Sequence, residues 1–278
     1  MVASLLSFVG MAIASRELSA FMSAFEILFF RSLVGLLLIA PLILRHRAQL
    51  FRAADLPLQL ARNAVHFAGQ YAWTLGVAAL PLVKVFALEF TTPIWVSLLA
   101  LLFLGERLTA ARGLAAVGGF IGVLVVLRPG LDGLEPAALT VLLAALCYAT
   151  SVILVKRLTR TSSPMLIVIW MVLLQLPLGL ALALPQWRTP TLACLPWIAL
   201  LGFTGLSAHF AMAKALKVMD ASLAMPIDFF RVPLIALAGY LLYNELLEIW
   251  VLVGALLIFA ANYLAMRLKQ RQAHPAEG

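Results

Sequence analysis

The sequence predicts an all-α integral membrane protein with ten transmembrane helices, arranged as two inverted five-helix repeats. Three observations support this fold class. The chain of 278 residues is 64% hydrophobic and 12% charged, which is too little charge for the wetted surface of a soluble domain of that length. Apolar segments of membrane-spanning length recur along the chain. The second half also repeats features of the first half at a constant offset.

The predicted helices are separated by short connections, so we expect no separate soluble domain. They cover residues 2–18, 25–44, 58–79, 84–104, 112–128, 136–156, 164–184, 193–214, 221–243 and 249–268. Segments of about 20 apolar residues cross the hydrocarbon core of a bilayer. The polar residues 271–278 are expected to form a disordered cytoplasmic tail.

Basic residues indicate how the helices are oriented. If the N-terminus is inside, the inner loops and tail hold Arg45, Arg47, Arg52, Arg62, Arg107, Arg112, Lys156, Arg157, Arg160, Lys214, Lys217, Arg267, Lys269 and Arg271. The outer loops then hold only Arg16, Lys84, Arg128 and Arg188. This asymmetry places both termini in the cytoplasm. It also accounts for the net charge of +8, and since no basic arm or patch occurs, we expect no nucleic-acid partner.

An internal repeat divides the chain into residues 1–130 and 131–270. At an offset of 139 residues, Glu89 aligns with Asp228 and Gln70 aligns with His209. The same offset aligns Glu106 with Glu245. Five helices in each half make the second half enter the membrane from the opposite side, which gives inverted repeats of the kind found in secondary transporters.

The sequence resembles the EamA type of the drug/metabolite transporter superfamily over almost its whole length. The resemblance rests on the ten helices, the duplication, "FFRS" in the second helix, and "TTPIWVSLLALLFLGERLT" in the fourth, which ends in the Gly-Glu of that family. The second half keeps the acid as Glu245, but Asn244 replaces the glycine. The resemblance implies a small-molecule carrier of the inner membrane that works by alternating access, and many such carriers are exporters.

Four of the charged residues within the predicted helices mark the candidate substrate site. Arg31, Glu89, Asp228 and Arg231 would each cost about 2.5–3.5 kcal/mol if they faced lipid at mid-depth, so we expect them to face the interior. Asp228 and Arg231 form either a structural ion pair or part of a binding cavity. Glu89 is close enough to Lys84 to snorkel to the outer interface instead. Arg31 either binds a substrate carboxylate or phosphate, or pairs with Glu26 or Glu89 in an outer gate.

Prolines lie beside these charges at matching places in the two halves. Pro93 follows Glu89, and Pro226 and Pro233 flank Asp228 and Arg231. Because proline frees backbone carbonyls, a membrane helix tolerates it only beside protein or a water-filled cavity. Broken helices at such positions indicate a transport site, here between the fourth and ninth helices. Proline as a simple packing kink is the alternative.

Three further polar residues and one aromatic residue complete the predicted binding site. They are His66, Gln70, Trp95 and His209. A buried histidine is either a hydrogen-bonded structural residue or a proton relay. Trp95 is either a lining residue or an interfacial anchor. The glycines of "VGGFIG", Gly118 and Gly122, have the spacing of close helix packing rather than that of a nucleotide loop.

The predicted function is gradient-driven transport of a small polar metabolite across the inner membrane. No Walker A or hydrolase motif occurs in the sequence, so we expect no enzymatic activity, cofactor or metal. Glu89 and Asp228 are expected to bind the cationic part of the substrate or a coupling proton. Arg31 and Arg231 are expected to bind its anionic part. Export of amino acids is the first candidate; uptake of riboflavin or S-adenosylmethionine, an intramembrane enzyme and a scaffold are the alternatives.

Overall fold

The computed structural model describes residues 2–50, 56–104, 110–128, 135–158, 161–218, 230–246 and 248–273, and within these ranges the regular secondary structure is helical throughout. The α-helices are α1 (Val2–Ser19), α2 (Ala24–Leu50), α3 (Leu56–Ala79), α4 (Leu82–Glu89), α5 (Thr92–Leu104), α6 (Ala110–Leu127), α7 (Pro136–Leu158), α8 (Pro164–Ala183), α9 (Leu195–Val218), α10 (Arg231–Tyr243) and α11 (Ile249–Ala273). Two 3₁₀ turns, Leu184–Gln186 and Leu192–Cys194, connect α8 to α9.

Six of the described helices are long and apolar enough to cross a membrane. They are α1, α2, α7, α8, α9 and α11, and apolar stretches of α6 and α10 are shorter. Helix α3 has 24 residues and is long enough, but it is not apolar enough to be counted with these six. Its buried polar residues lower its mean hydropathy. Helices α4 and α5 do not meet it because each is a short piece of one predicted span.

Helices from the two halves of the chain pack against each other throughout the bundle. Helix α1 packs along α9, α3 along α7, and α6 along α11, while α4 contacts α7, α10 and α11. The main core includes Val77, Phe86, Leu88 and Ile235, all with almost no exposed surface. The halves are therefore interdigitated, and side chains from both reach the centre.

Glycines allow the closest of these approaches. A Cβ atom added at Gly122 would lie 2.9 Å from the carbonyl oxygen of Gly254, and one at Gly118 would lie 2.6 Å from the Cβ of Ala261. The small residues of "VGGFIG" thus bring α6 against α11, in agreement with the packing role that their spacing predicts. Gly76 gives α3 a similar approach to Val141 of α7.

The predicted fourth helix is interrupted next to the acidic residue that precedes its proline. Helix α4 ends at Glu89 and α5 begins at Thr92, with Phe90 and Thr91 between them. Pro93 has no N–H, so the carbonyl of Glu89 lacks its usual helical partner. The Thr92 hydroxyl donates to this carbonyl at 2.7 Å, and the Thr91 hydroxyl donates to the carbonyl of Leu88 at 2.7 Å.

The predicted ninth helix is described only in its second part. Helix α10 begins at Arg231 with Pro233 in its first turn, where a missing N–H is tolerated. Pro226 and Asp228 lie outside the described residues.

Candidate functional site

Buried and partly buried polar side chains from four helices come together around the guanidinium of Arg31. We call it the Arg31 cluster; its members are Arg31 of α2, His66 and Gln70 of α3, Gln175 of α8 and His209 of α9. Nη2 of Arg31 lies 3.3 Å from Nε2 of His209. Gly205 of α9 makes room for the guanidinium, since a Cβ there would lie 2.9 Å from Nε of Arg31.

Gln70 connects the guanidinium to the rest of the cluster. With its side-chain amide oriented to match its neighbours, its oxygen accepts from both Nη atoms of Arg31 at 2.9 Å, and its nitrogen donates to Oε1 of Gln175 at 3.0 Å. Nε2 of Gln175 in turn lies 3.0 Å from Nδ1 of His66. The hydrogen-bond partners of Arg31 among the described residues are thus an imidazole and an amide, not a carboxylate.

Aromatic rings and a small pocket border the Arg31 cluster. The ring of His66 lies 5.7 Å from that of Tyr148 and 6.0 Å from that of His209. The pocket lies between α2, α8 and α9, and it is lined by Arg31, Ser32, Gly35, Met171, Val172, Gln175, Gly202, Gly205 and Leu206. Two of the polar lining residues, Arg31 and Gln175, belong to the cluster.

A second charged group joins the two halves of the chain beside the interruption between α4 and α5. Oε1 of Glu89 lies 3.4 Å from Nη1 of Arg231, and Oε2 accepts from Nε1 of Trp73 at 2.8 Å. The guanidinium of Arg231 also lies over the rings of Phe8 and Phe90, at 4.4 and 4.9 Å. Glu89 therefore points into the bundle rather than toward Lys84 and the interface.

Helix α3 presents a continuous polar face to the interior. Its members follow helical spacing and are each at most 8% exposed: Gln59, Arg62, Asn63, His66, Gln70 and Thr74. Nη1 of Arg62 donates to Oδ1 of Asn63 at 2.9 Å. Nε2 of Gln175 lies 3.4 Å from the same oxygen, so this face continues into the Arg31 cluster.

The end of the bundle where α1 finishes is held by a separate set of charges. We call it the Arg16 cluster; its members are Arg16, Glu17, Tyr243 and Glu245. Arg16 donates to Oε1 of Glu245 and to the carbonyl of Leu80. The other oxygen of Glu245 accepts from the first N–H of α4, on Leu82, at 2.8 Å. Tyr243 donates to Glu17 at 2.9 Å.

Asn244 explains how Glu245 reaches α4. It caps the C-terminus of α10 in the left-handed conformation, with φ of 51°. Glycine adopts this conformation most readily and asparagine is the usual second choice. Asn244 therefore adopts a conformation that glycine also favours, and the turn directs the carboxylate of Glu245 toward Arg16 and Leu82.

The structure brings six of the predicted binding residues together as two neighbouring groups. Arg31, His66, Gln70 and His209 form one group, and Glu89 and Arg231 form the other.

Two further sequence expectations concern Trp95 and Glu26. Nε1 of Trp95 is buried and has no hydrogen-bond partner among the described residues. Glu26 does not pair with Arg31; it accepts from Ser23 at the start of α2 and from the backbone N–H of Arg188. Arg31 and Glu26 therefore do not form an outer gate in this structure.

Sequence reasoning missed several buried polar residues. Arg62, counted above with the basic loops, is 8% exposed inside α3, and Lys84, counted with the outer loops, is 8% exposed and pairs with Glu135 at 2.8 Å. If Arg62 and Lys84 are left out of the count of basic loop residues, the inner loops still hold more basic residues than the outer loops. The signal that reveals Gln59, Arg62 and Asn63 is their helical spacing from His66 and Gln70. Within the described ranges, no three His, Cys, Asp or Glu side chains come together as a metal site.

Comparison with known proteins shows strong similarity to transporters. The model of the EamA-like transporter family matches residues 1–128 and 135–267. A riboflavin transporter of Rhizobium johnstonii is 36% identical over 215 residues, which cover 77% of this chain and 71% of that protein. An S-adenosylmethionine uptake transporter of Rickettsia bellii is 26% identical over 259 residues, covering 93% and 89%. The pseudopaline exporter CntI of Pseudomonas aeruginosa is 24% identical over 257 residues, covering 92% and 90%.

The fold also matches a solved protein. A crystal structure described only as "Crystal structure of protein" superposes with a TM-score of 0.68 at 17% identity, over 98% of this chain and 96% of the other. At that identity the match supports the fold alone.

Proposed function

The chain belongs to the EamA-like transporter family, a family of multi-pass membrane proteins, and from that premise we propose that it is a gradient-driven carrier of small polar metabolites in the bacterial inner membrane. The single observation that supports this function best is the Arg31 cluster. It places the partly buried cation of Arg31, on α2, among histidine and glutamine side chains of α3, α8 and α9, so that both halves of the chain contribute. Such a site is suited to a ligand with polar acceptor atoms.

The proposed architecture has ten membrane crossings in two inverted repeats, residues 1–130 and 131–270, with both termini in the cytoplasm and a tail at 271–278. The two matched family segments support the division into halves. In this architecture α4 and α5 form one crossing, and α10 forms the outer part of the ninth. The two halves rock against each other to expose the site to each side in turn.

The proposed roles of the charged residues follow their surroundings. Arg31 binds acceptor oxygens of the substrate with Gln70 and Gln175. Glu89, held by Trp73 and Arg231, binds a cationic part of the substrate or a coupling proton, and Asp228 is proposed to share that role from the second half.

Uptake of a cofactor-like metabolite is the first candidate, with riboflavin as the first probe. Its supporting observations are the identity of 36% to a riboflavin transporter and the arrangement of donors around Arg31. The carbonyl and imide groups of a flavin ring are acceptors and donors of the kind that Arg31, Gln70 and Gln175 can pair with.

Export of an amino acid or related metabolite is the second candidate. The exporter among the relatives and the neighbouring opposite charges of Glu89 and Arg231 favour it, because a zwitterion offers a partner to each. S-adenosylmethionine, which has both charges, fits the same pair in the uptake direction.

The test is counterflow of labelled riboflavin in proteoliposomes that contain the purified full-length protein. S-adenosylmethionine and a mixture of amino acids are run in parallel. We expect exchange of riboflavin that Arg31→Gln strongly reduces and that the exposed-site variant Arg188→Gln keeps. Exchange of amino acids without exchange of riboflavin would favour the second candidate substrate class. Absence of exchange for all three probes by a folded protein would contradict the proposed substrates.

A further inference from the structure

The polar face of α3 continues well beyond the Arg31 cluster. From Gln59 to Thr74 it is roughly 22 Å long at the rise of an α-helix, a large part of the thickness of a hydrocarbon core. His66 and Gln70 belong to the cluster already described. Gln59, Arg62 and Asn63 lie one to three turns closer to the start of α3, and they serve no role in the site as proposed so far.

Two of these residues are buried with unused hydrogen-bonding groups. Gln59 has no exposed surface, and neither Nε2 nor Oε1 has a partner among the residues that the structure describes. Arg62 is 8% exposed, and its Nε likewise has no partner there. Burial of such groups is unfavourable unless something else pairs with them.

In the described part of the chain, the positive charges of Arg62 and of nearby Arg31 are not paired with a carboxylate. Arg62 donates only to the neutral Asn63, and Arg31 contacts only His209 and Gln70, so neither guanidinium contacts a described carboxylate. A buried cation is stabilised by an anionic partner with oxygen atoms, which a guanidinium and an amide can bind with several donors at once.

On the basis of the proposed transport function, we infer that Gln59 and Arg62 form a second binding site for a negatively charged carboxylate or phosphate group of a substrate. It lies on the transport path between the Arg31 cluster and the end of the bundle where α3 begins. We call it the Gln59–Arg62 site.

A chain of hydrogen bonds connects this site to the Arg31 cluster. Asn63 accepts from Arg62 at 2.9 Å and from Gln175 at 3.4 Å, and Gln175 contacts His66 at 3.0 Å. An anionic group that leaves Arg31 therefore meets further donors at each turn of α3 before it reaches Arg62. The path is continuous in polar atoms, although the helices around it are strongly apolar.

The test uses thiol accessibility, because this measurement works whichever substrate the protein carries. In the full-length chain with Cys147→Ser and Cys194→Ser, single cysteines replace Asn63 on the polar face and its neighbour Ala64, which is exposed on the outside of the bundle. The probes are an anionic methanethiosulfonate (ethylsulfonate) and a cationic one (ethyltrimethylammonium). They are applied to inside-out membrane vesicles, and rates are divided by those with a free thiol.

We expect Asn63→Cys to react and Ala64→Cys, in lipid, to remain unreactive. The anionic probe should react at Asn63→Cys about tenfold faster than the cationic probe, since a cleft lined by one sign of charge concentrates the opposite ion. Adding Arg62→Gln should remove this preference, and Arg62→Lys should keep it. Equal rates for the two probes, or a preference unchanged by Arg62→Gln, would overturn the inference, as would an unreactive Asn63→Cys.

A second measurement separates binding from a packing defect. If Gln59 were only a poorly packed residue, Gln59→Met would raise the temperature of unfolding and leave transport unchanged, which would contradict the Gln59–Arg62 site. We expect Gln59→Met to slow transport of an anionic probe, flavin mononucleotide, and the exposed neighbour variant Leu60→Met to transport it at the parent rate. Transport that depends on Arg31 but not on Gln59 or Arg62 would contradict the Gln59–Arg62 site and would leave the proposed function unaffected.

Discussion

The Arg31 cluster and the Arg16 cluster use the same kind of side chain in opposite ways. Arg31 lies in the middle of the bundle and contacts neutral groups, His209 and Gln70. Arg16 lies at one end and contacts a carboxylate, Glu245, together with the carbonyls that terminate α3. Arg31 is hydrogen-bonded to uncharged side chains. Arg16 is paired with a carboxylate and with backbone carbonyls.

This difference indicates two different tasks. A guanidinium paired with neutral amides gains free energy when an acceptor with more negative charge replaces them, so it is suited to binding. A guanidinium already paired with a carboxylate gains little from a ligand. The Arg16 cluster joins α1 and the junction of α3 and α4 to the end of α10, and it is suited to holding that end of the bundle closed.

Removal of the charge at Arg31 should give the largest effect on transport. Arg31→Gln loses charged hydrogen bonds to the substrate worth about 1.5–3 kcal/mol, which corresponds to a fall of roughly 10- to 100-fold in transport rate at low substrate concentration. Arg31→Lys should recover only part of the rate, because it lacks the planar fork of donors. Initial rates in proteoliposomes measure this, with Arg188→Gln as the exposed control.

If Arg31→Gln transports as fast as the parent protein, the contrast between the two clusters has no functional meaning. A chain that fails to fold is recognised by size-exclusion chromatography in detergent.

Glu89 sharpens the comparison, because it is an acid close to a cluster that contains no described carboxylate. Glu89→Gln should reduce transport by about tenfold, the value of a single hydrogen bond to a charged group, and leave the protein inserted and folded. Asp228→Asn, its counterpart in the repeat, should behave alike. Full transport activity in both variants would remove the two residues from the site. The matched control is Glu135→Gln, an acid whose partner, Lys84, lies away from the Arg31 cluster.

Loss of the charge at Glu245 should affect stability more than substrate binding. Glu245→Gln removes the ion pair with Arg16 but keeps an acceptor for the N–H of Leu82. Since both side chains are partly exposed, at 19% and 12%, we expect a loss of about 1 kcal/mol in the free energy of unfolding. Thermal unfolding in detergent measures it, with the exposed Glu248→Gln as control. An unchanged unfolding temperature together with a substrate affinity lowered as far as in Arg31→Gln would reverse the assignment of the two clusters.

The smallest expected effect on stability is at Asn244, where substitutions test only the left-handed backbone conformation. Asn244→Ala should destabilise the protein by about 1 kcal/mol, because alanine resists the left-handed conformation. Asn244→Gly should be close to neutral, since glycine adopts it without steric cost. Equal unfolding temperatures for the two variants would show that the turn does not position Glu245.

The sequence predicted a helical membrane protein, because that class of fold depends on local patterns. Long apolar segments indicate membrane helices regardless of how they pack. Charges inside such segments were expected to face the interior, and Glu89 and Arg231 do so, but the sequence suggested Asp228 rather than Glu89 as the partner of Arg231. The number of membrane crossings and the orientation of the termini stay predictions.

The partners of each side chain were harder to predict, because they depend on the packing of helices far apart in sequence. Nothing local distinguishes Gln175 from a lipid-facing glutamine until α8 is placed beside α3. Arg62 was assigned to a loop because charge was counted without regard to helical phase. The pairing of Glu245 with Arg16 depends on the left-handed turn at Asn244, which replaces the glycine of the motif and so made the motif harder to recognise in the sequence.

The threonine hydroxyls at the junction of α4 and α5 have a mechanical consequence. Any bend in a membrane helix lengthens the hydrogen bonds on its outer side, and a bare carbonyl in hydrocarbon costs several kcal/mol. At this junction the carbonyls of Leu88 and Glu89 are bonded to hydroxyls of Thr91 and Thr92, which rotate about a single bond and can follow them. The junction of α4 and α5 can therefore bend while these two carbonyls keep their hydrogen bonds to the threonine hydroxyls.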